Sequence, residues 1–124
     1  MNADDTRRAA ARPTARWRRF AARHPEYAEL YPPAMLAATD DAMTAYEAEL
    51  APGASDELLW AAVEHLVQAL NAIDDVHGLF ETAEREDLCE YADAALGTVG
   101  VDVEALTARQ GLGRAELTDR WRDW

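Results

Sequence analysis

Lysine is absent from this sequence, and it contains only one cysteine and one isoleucine. The single cysteine, Cys89, excludes an intrachain disulfide and predicts a reducing compartment, here the cytoplasm. No apolar run approaches the roughly 20 residues that span a bilayer, so we expect no membrane association. We attribute the missing lysines to the bias of a GC-rich bacterial genome and not to a function.

β-Branched residues are also scarce, which argues against a sheet. The chain has 27 alanines and 13 leucines but only 6 valines and one isoleucine. Alanine is the best helix former, whereas sheets favour β-branched side chains. A chain of 124 residues suits one ordinary domain. The composition therefore predicts a single all-α domain.

The apolar periodicity divides the chain into a small helical bundle. Three long helices are predicted at about 33–50, 55–76 and 82–99, with short helices at the N- and C-terminal ends. Ser55 and Thr82 are the expected N-caps of the second and third helices, and Gly78 ends the second. The tail from Glu116 is expected to form a short helix capped by Thr118 and docked through its apolar residues.

Charge is distributed unevenly along the chain. Residues 1–24 hold seven arginines and two aspartates, which predicts a basic, partly flexible N-terminal arm. Residues 25–124 hold 22 acidic residues and five arginines, and we expect them to form one acidic helical domain. Such a domain repels nucleic acid and attracts basic surfaces. A basic protein is therefore the expected partner.

Several carboxylates are predicted to share one face of the third long helix. At 100° per residue, Glu86, Glu90 and Asp93 lie opposite the apolar stripe that begins at Leu88. An inward position would indicate a metal site, whereas this outward position predicts a solvated acidic surface that can meet a partner. Three scattered histidines and one cysteine provide no zinc motif, so we expect no metal or cofactor.

One polar pair, Asp74 and His77, lies within the apolar arc at the end of the second long helix. An imidazole and a carboxylate there can act as a general base with its orienting partner, or as two metal ligands. This pair supports an alternative hypothesis, a small helical enzyme or ligand-binding protein. The competing interpretation is a charged His77 at the negative end of the helix dipole, paired with Asp74.

The arginine-rich arm suggests a further alternative. Arg16, Arg18 and Arg19 surround Trp17 and Phe20, a combination that can bind phosphates while stacking on bases. A regulator that contacts nucleic acid through this arm is therefore a third hypothesis. We favour instead that the arm lies along the acidic body of its own or a neighbouring chain, since a strongly acidic domain opposes binding to nucleic acid.

These patterns favour a non-catalytic protein–protein interaction domain over an enzyme. The leading hypothesis is an inhibitor or immunity-type protein whose acidic face covers a basic partner. Self-association is a separate question, because Trp60, Trp121 and Trp124 can fill the monomer core or form a homodimer patch.

Overall fold

The computed structural model describes residues 10–124, and all the regular structure in that range is helical. The α-helices are α1 (Pro13–Arg23), α2 (Pro33–Glu49), α3 (Asp56–His77), α4 (Thr82–Thr98) and α5 (Val103–Ala108), with short 3-10 helices at Pro25–Leu30 and Arg114–Glu116. The all-α prediction is confirmed, and α2, α3 and α4 match the three predicted long segments to within one residue at each end. With its 11 residues, α1 is a fourth substantial helix, so a bundle of three long helices is an approximate description.

Local sequence signals explain where the helices begin and end. Ser55 caps α3 by accepting a backbone N–H from the first turn, and Gly78 ends it with a left-handed φ of 64°. The predicted cap of α4 was wrong by one residue. Glu81 is the N-cap, because its side chain and that of Glu84 form a reciprocal capping box.

The core lies between α2, α3 and α4, and α2 and α3 make the most extensive helix contact. Tyr46 of α2 is 1 % exposed, and its hydroxyl donates a hydrogen bond of 2.7 Å to the carbonyl of Ala92 in α4. Fully buried side chains from the three helices surround it; they include Met35, Met43, Val63, Leu66, Leu70, Leu88 and Leu96. Within residues 10–124, no helix is long and apolar enough to cross a membrane.

The C-terminal tail is docked as predicted, but its predicted helix was wrong. A 3-10 helix at Arg114–Glu116 is followed by hydrogen-bonded turns and an irregular end. Asn71 of α3 explains the difference, because its side chain donates to the carbonyl of Trp121 (2.7 Å) and accepts from the N–H of Asp123 (2.9 Å). These two bonds to α3 engage backbone groups that would form hydrogen bonds within the tail if the tail were a helix. Trp124 is 8 % exposed as a result.

The N-terminal segment is part of this core from α1 onward. Trp17 is 2 % exposed, stacks on Tyr31 with 5.5 Å between ring centroids, and donates its indole N–H to Asp87 at 2.9 Å. Residues 1–9 of the predicted flexible arm, with Arg7 and Arg8, lie outside the described residues. Residues 13–23 of that arm are a packed helix, because the buried indole fixes α1 to α4.

Candidate functional site

Three arginines of the N-terminal segment bind carboxylates of the body. The ion pairs join Arg12 to Glu47 (2.8 Å), Arg16 to Asp87 (2.8 Å) and Arg18 to Asp40 (2.7 Å). The structure thus places Arg16 and Arg18, two candidate partner-binding residues, in contacts within their own chain. Arg19 is exposed and forms no ion pair with any of residues 10–124. The N-terminal helix lies along the acidic body, as the favoured interpretation of the arm predicted.

The carboxylates in these pairs have a structural function. Burial alone would raise the pKa of Asp40, but hydrogen bonds from Thr14 and Arg18 lower it below its ordinary value. Burial likewise opposes the ionised form of Glu47, and hydrogen bonds from Arg12 and Tyr91 lower its pKa on balance. These groups favour their ionised form in the folded state because nearby donors compensate for the lost hydration.

The acidic face of α4 presents carboxylates of another kind. Glu86 and Glu90 are exposed, and no cation among residues 10–124 forms an ion pair with either. They line a groove of about 530 Å³ between α4 and the tail, which we call the acidic groove. Its lining residues are Glu86, Cys89, Glu90, Asp93, Arg114, Ala115, Leu117 and Thr118. The three candidate acidic residues of the sequence are thus brought together on one wall.

A single ion pair lies across this groove. Arg114 of the tail binds Asp93 through two hydrogen bonds of 2.7 Å, which fix the tail against α4. Cys89 lies half-buried between the walls, where its Sγ is 3.3 Å from Nη1 of Arg122 and 3.5 Å from Oγ1 of Thr118. Asp93 is therefore already neutralised, and the acidic residues of the groove without an ion pair to any of residues 10–124 are Glu86 and Glu90.

The chemistry of the acidic groove suits a cationic side chain. The methyl group of the exposed Ala115 contributes apolar surface, whereas Leu117 is only 3 % exposed, and the two glutamates contribute negative charge at the rim. Lysine and arginine side chains combine an apolar stem with a charged head, and they bury the stem while the head stays among polar groups. The shape and charge of the groove are therefore chemically suited to a basic side chain.

Asp74 and His77 lie at the C-terminal end of α3. Oδ1 of Asp74 accepts the backbone N–H of Phe80 at 3.0 Å, which stabilises the turn into α4. No hydrogen bond or ion pair joins Asp74 to His77, and neither residue lines the acidic groove. In the part of the chain that the structure describes, no three His, Cys, Asp or Glu side chains are grouped to hold a metal ion.

Two of the three tryptophans considered for self-association fill the core. Trp60 and Trp124 are each 8 % exposed, and Trp121 is half-buried with its ring centroid 6.2 Å from that of Trp60. The guanidinium of Arg120 covers the ring of Trp60 at 4.9 Å. Trp60, Trp121 and Arg120 also line an open groove of about 500 Å³, so the chain's own residues cover this part of the surface only in part.

The sequence matches no protein-family model, and no curated protein and no solved structure shows significant similarity to it.

Sequence reasoning missed the second wall of the acidic groove. Arg114 is 21 positions from Asp93, and no helical or strand periodicity connects the two residues. The only sequence signal for a docked tail was its apolar content, which predicts burial without indicating the helix that covers it. The pairing of the tail with α4 is a tertiary contact that local patterns do not encode.

Proposed function

We propose that this protein is a non-catalytic interaction domain that binds a basic protein, as an inhibitor or immunity-type partner does, through the acidic groove. The observation that supports this proposal is the pair of exposed carboxylates, Glu86 and Glu90, one helical turn apart and without a cation among the described residues. Other acidic side chains nearby, such as Asp87 and Asp93, already have arginine partners. The unpaired carboxylates are the groups with capacity for a partner's charge.

Electrostatic attraction is the main contribution expected from this surface. Complementary charge accelerates the encounter of two proteins and orients them, and the effect weakens as salt screens the charges. Once docked, an arginine or lysine of the partner would place its stem on Ala115 and its head between the glutamates. Binding should thus combine salt-sensitive steering with a small apolar contact.

The same features support a binding protein rather than an enzyme. The polar groups of the groove are carboxylates suited to recognition, one arginine that is already paired, and the thiol of Cys89 beside the hydroxyl of Thr118. Asp74 serves the turn after α3. We also propose a cytoplasmic location, which the single free thiol of Cys89 supports because thiols persist in reducing compartments.

The test is affinity capture from a lysate of the source cells with three forms of the full-length protein. They are the wild type, the charge-reversed variant E86R/E90R, and a control, D41R/D75R, which makes the same change in net charge outside the groove. Asp41 and Asp75 are exposed, and neither forms an ion pair with the described residues. Full-length protein is required because removing residues 1–24 would delete the buried indole of Trp17.

A captured protein is then purified and titrated against each form by calorimetry. We expect a basic protein that binds the wild type and D41R/D75R with similar affinity and binds E86R/E90R at least about tenfold more weakly, which corresponds to about 1.4 kcal/mol. A captured protein that binds all three forms equally well would refute the groove as its site. Capture of no basic protein by the wild type would contradict the proposed function itself.

A further inference from the structure

A second surface of the molecule exposes large apolar side chains. Phe20, Tyr27 and Leu30 are 39 %, 50 % and 43 % exposed, and all three lie on α1 or the 3-10 helix that follows it. The ring of Phe20 is 4.6 Å from that of His24 and 6.1 Å from that of Tyr27. An exposed cluster of this kind is typical of a contact surface, because aromatic side chains are enriched at interfaces.

This aromatic cluster has positively charged neighbours. Arg19 and Arg23 are exposed on α1, and neither forms an ion pair with any of residues 10–124. Two acidic residues, Glu26 and Glu29, lie on the 3-10 helix beside the cluster; Glu26 is 3.3 Å from Nδ1 of His24, and Glu29 is exposed. We call the surface formed by Arg19, Phe20, Arg23, Tyr27 and Leu30 the basic–aromatic patch.

The patch and the acidic groove have matching charge spacing. Arg19 and Arg23 are four residues apart on α1, as Glu86 and Glu90 are on α4. Side chains four residues apart on a helix lie on the same face, with about 6 Å between their Cβ atoms. Two arginines on one helix can therefore pair with two glutamates on the other when two copies of the chain meet.

We propose that the basic–aromatic patch binds the acidic groove of a second copy of this chain, head to tail. The inference rests on the proposed function in one respect, because it uses the same groove as the binding surface. The residues that meet are different on the two copies, so the contact is heterologous and can repeat from copy to copy. A symmetric contact of patch with patch is disfavoured because it would bring arginines together.

The net charge of the chain does not prevent this contact. Each copy carries a formal charge of −12, but at physiological salt the Debye length is about 8 Å, so distant charges are largely screened. The ion pairs between the patch arginines and the groove glutamates then determine whether the two copies attract each other. A basic partner would compete with the patch for Glu86 and Glu90, so self-association would be displaced when the partner binds.

The test is sedimentation equilibrium at low and at physiological salt with wild type, R19Q/R23Q and E86Q/E90Q. All four substituted side chains are exposed, so the variants should fold, and circular dichroism checks this. We expect the average mass of the wild type to rise with concentration and to fall with salt, while each variant alone stays monomeric. An equimolar mixture of the two variants should form a 1:1 dimer and nothing larger, because only one complementary contact remains.

A wild type that remains monomeric over the whole concentration range, or a mixture of variants that does not dimerise, would overturn the inference. Association of E86Q/E90Q alone at wild-type strength would also overturn it, since the groove would then not be the second surface. Binding of the basic protein by R19Q/R23Q distinguishes a failure of the self-association inference from a failure of the proposed function. R19Q/R23Q should bind the captured basic protein at least as tightly as the wild type does, whether or not self-association is found, because the variant keeps the groove and lacks the competing patch.

Discussion

Asp87 and Glu86 are neighbours on α4, yet their environments differ completely. Asp87 accepts the indole N–H of Trp17 at 2.9 Å and pairs with Arg16 at 2.8 Å, and its side chain is 23 % exposed. Glu86 is exposed and forms no ion pair within residues 10–124. A rotation of 100° around the helix turns one carboxylate toward α1 and the other toward the acidic groove. The acidic residues of this chain thus include two sets. The structural set (Asp40, Glu47 and Asp87) binds arginines of the N-terminal segment. The uncompensated set (Glu86 and Glu90) forms no ion pair within residues 10–124.

This difference shows why net charge alone is a poor guide to function. Asp40, Glu47 and Asp87 bind arginines of the N-terminal segment, so three of the seven arginines of residues 1–24 are paired within the fold. What remains for a partner is the set of carboxylates without an ion pair among the described residues.

The largest effect is expected where α1 meets the structural set. W17A should lower the free energy of unfolding by about 3–5 kcal/mol, because it leaves a cavity and removes the donor to Asp87. Urea denaturation measures the loss. F20A, on the same helix but 39 % exposed, is the control and should cost less than about 1 kcal/mol. Equal losses for the two variants would mean that α1 is not anchored by its indole.

The second prediction compares the two sets directly. E47A should lower the free energy of unfolding by about 1–3 kcal/mol, because Arg12 and the buried hydroxyl of Tyr91 lose their acceptor. E86A/E90A should change it by less than about 0.5 kcal/mol, as is usual for exposed side chains without partners. Urea denaturation of both variants measures these changes. A larger loss of unfolding free energy for E86A/E90A than for E47A would contradict the division into structural and uncompensated carboxylates.

The fold was largely predictable from the sequence where local signals agree. The apolar stripe, the Ser55 cap and Gly78 together defined α3 to within one residue. The N-terminal helix was harder, because its arginines suggested an exposed arm and only Trp17 indicated burial. Its contact with Asp87 joins residues 70 positions apart, and no local pattern predicts which acidic residue receives the indole.

The candidate site was predictable only in part, for the same reason. Helical spacing placed Glu86, Glu90 and Asp93 on one face, and the structure places all three in one groove. The opposite wall depends on the path of the tail. That path is set by hydrogen bonds between Asn71 and the backbone of residues 121 and 123, which compete successfully with the helix that the tail sequence favours.

The third prediction concerns acid stability. The pKa of Glu47 is lowered in the folded protein from its ordinary value of 4.5, so its stabilising contribution is present above pH 4.5 and is lost as the pH falls through the lowered pKa. E47Q should therefore show a weaker decline of stability below pH 4.5 than the wild type, as measured by urea denaturation at a series of pH values. E86Q/E90Q serves as the control and should decline as the wild type does. An unchanged profile for E47Q would show that Glu47 is not part of the structural set.

The smallest effect is expected from moving one carboxylate between the sets. R114A removes the exposed cation that pairs with Asp93, so Asp93 should join the uncompensated carboxylates of the groove. The association rate with the basic partner should rise about two- to threefold, because the groove becomes more negative. Stopped-flow fluorescence measures this rate. R109A, which frees Asp56 outside the groove, is the matched control, and an equal increase for both variants would attribute the change to overall charge.

The most direct test of the division is the dependence of the partner's association rate constant on ionic strength, measured for the wild type, E86R/E90R and D41R/D75R. If the unpaired glutamates of the acidic groove guide the partner, the rate constant of the wild type and of D41R/D75R should fall steeply as salt rises, while that of E86R/E90R should be low and nearly independent of salt. The same steep slope for all three proteins would contradict the account, because the partner would then be attracted by the total charge of the molecule and not by the groove.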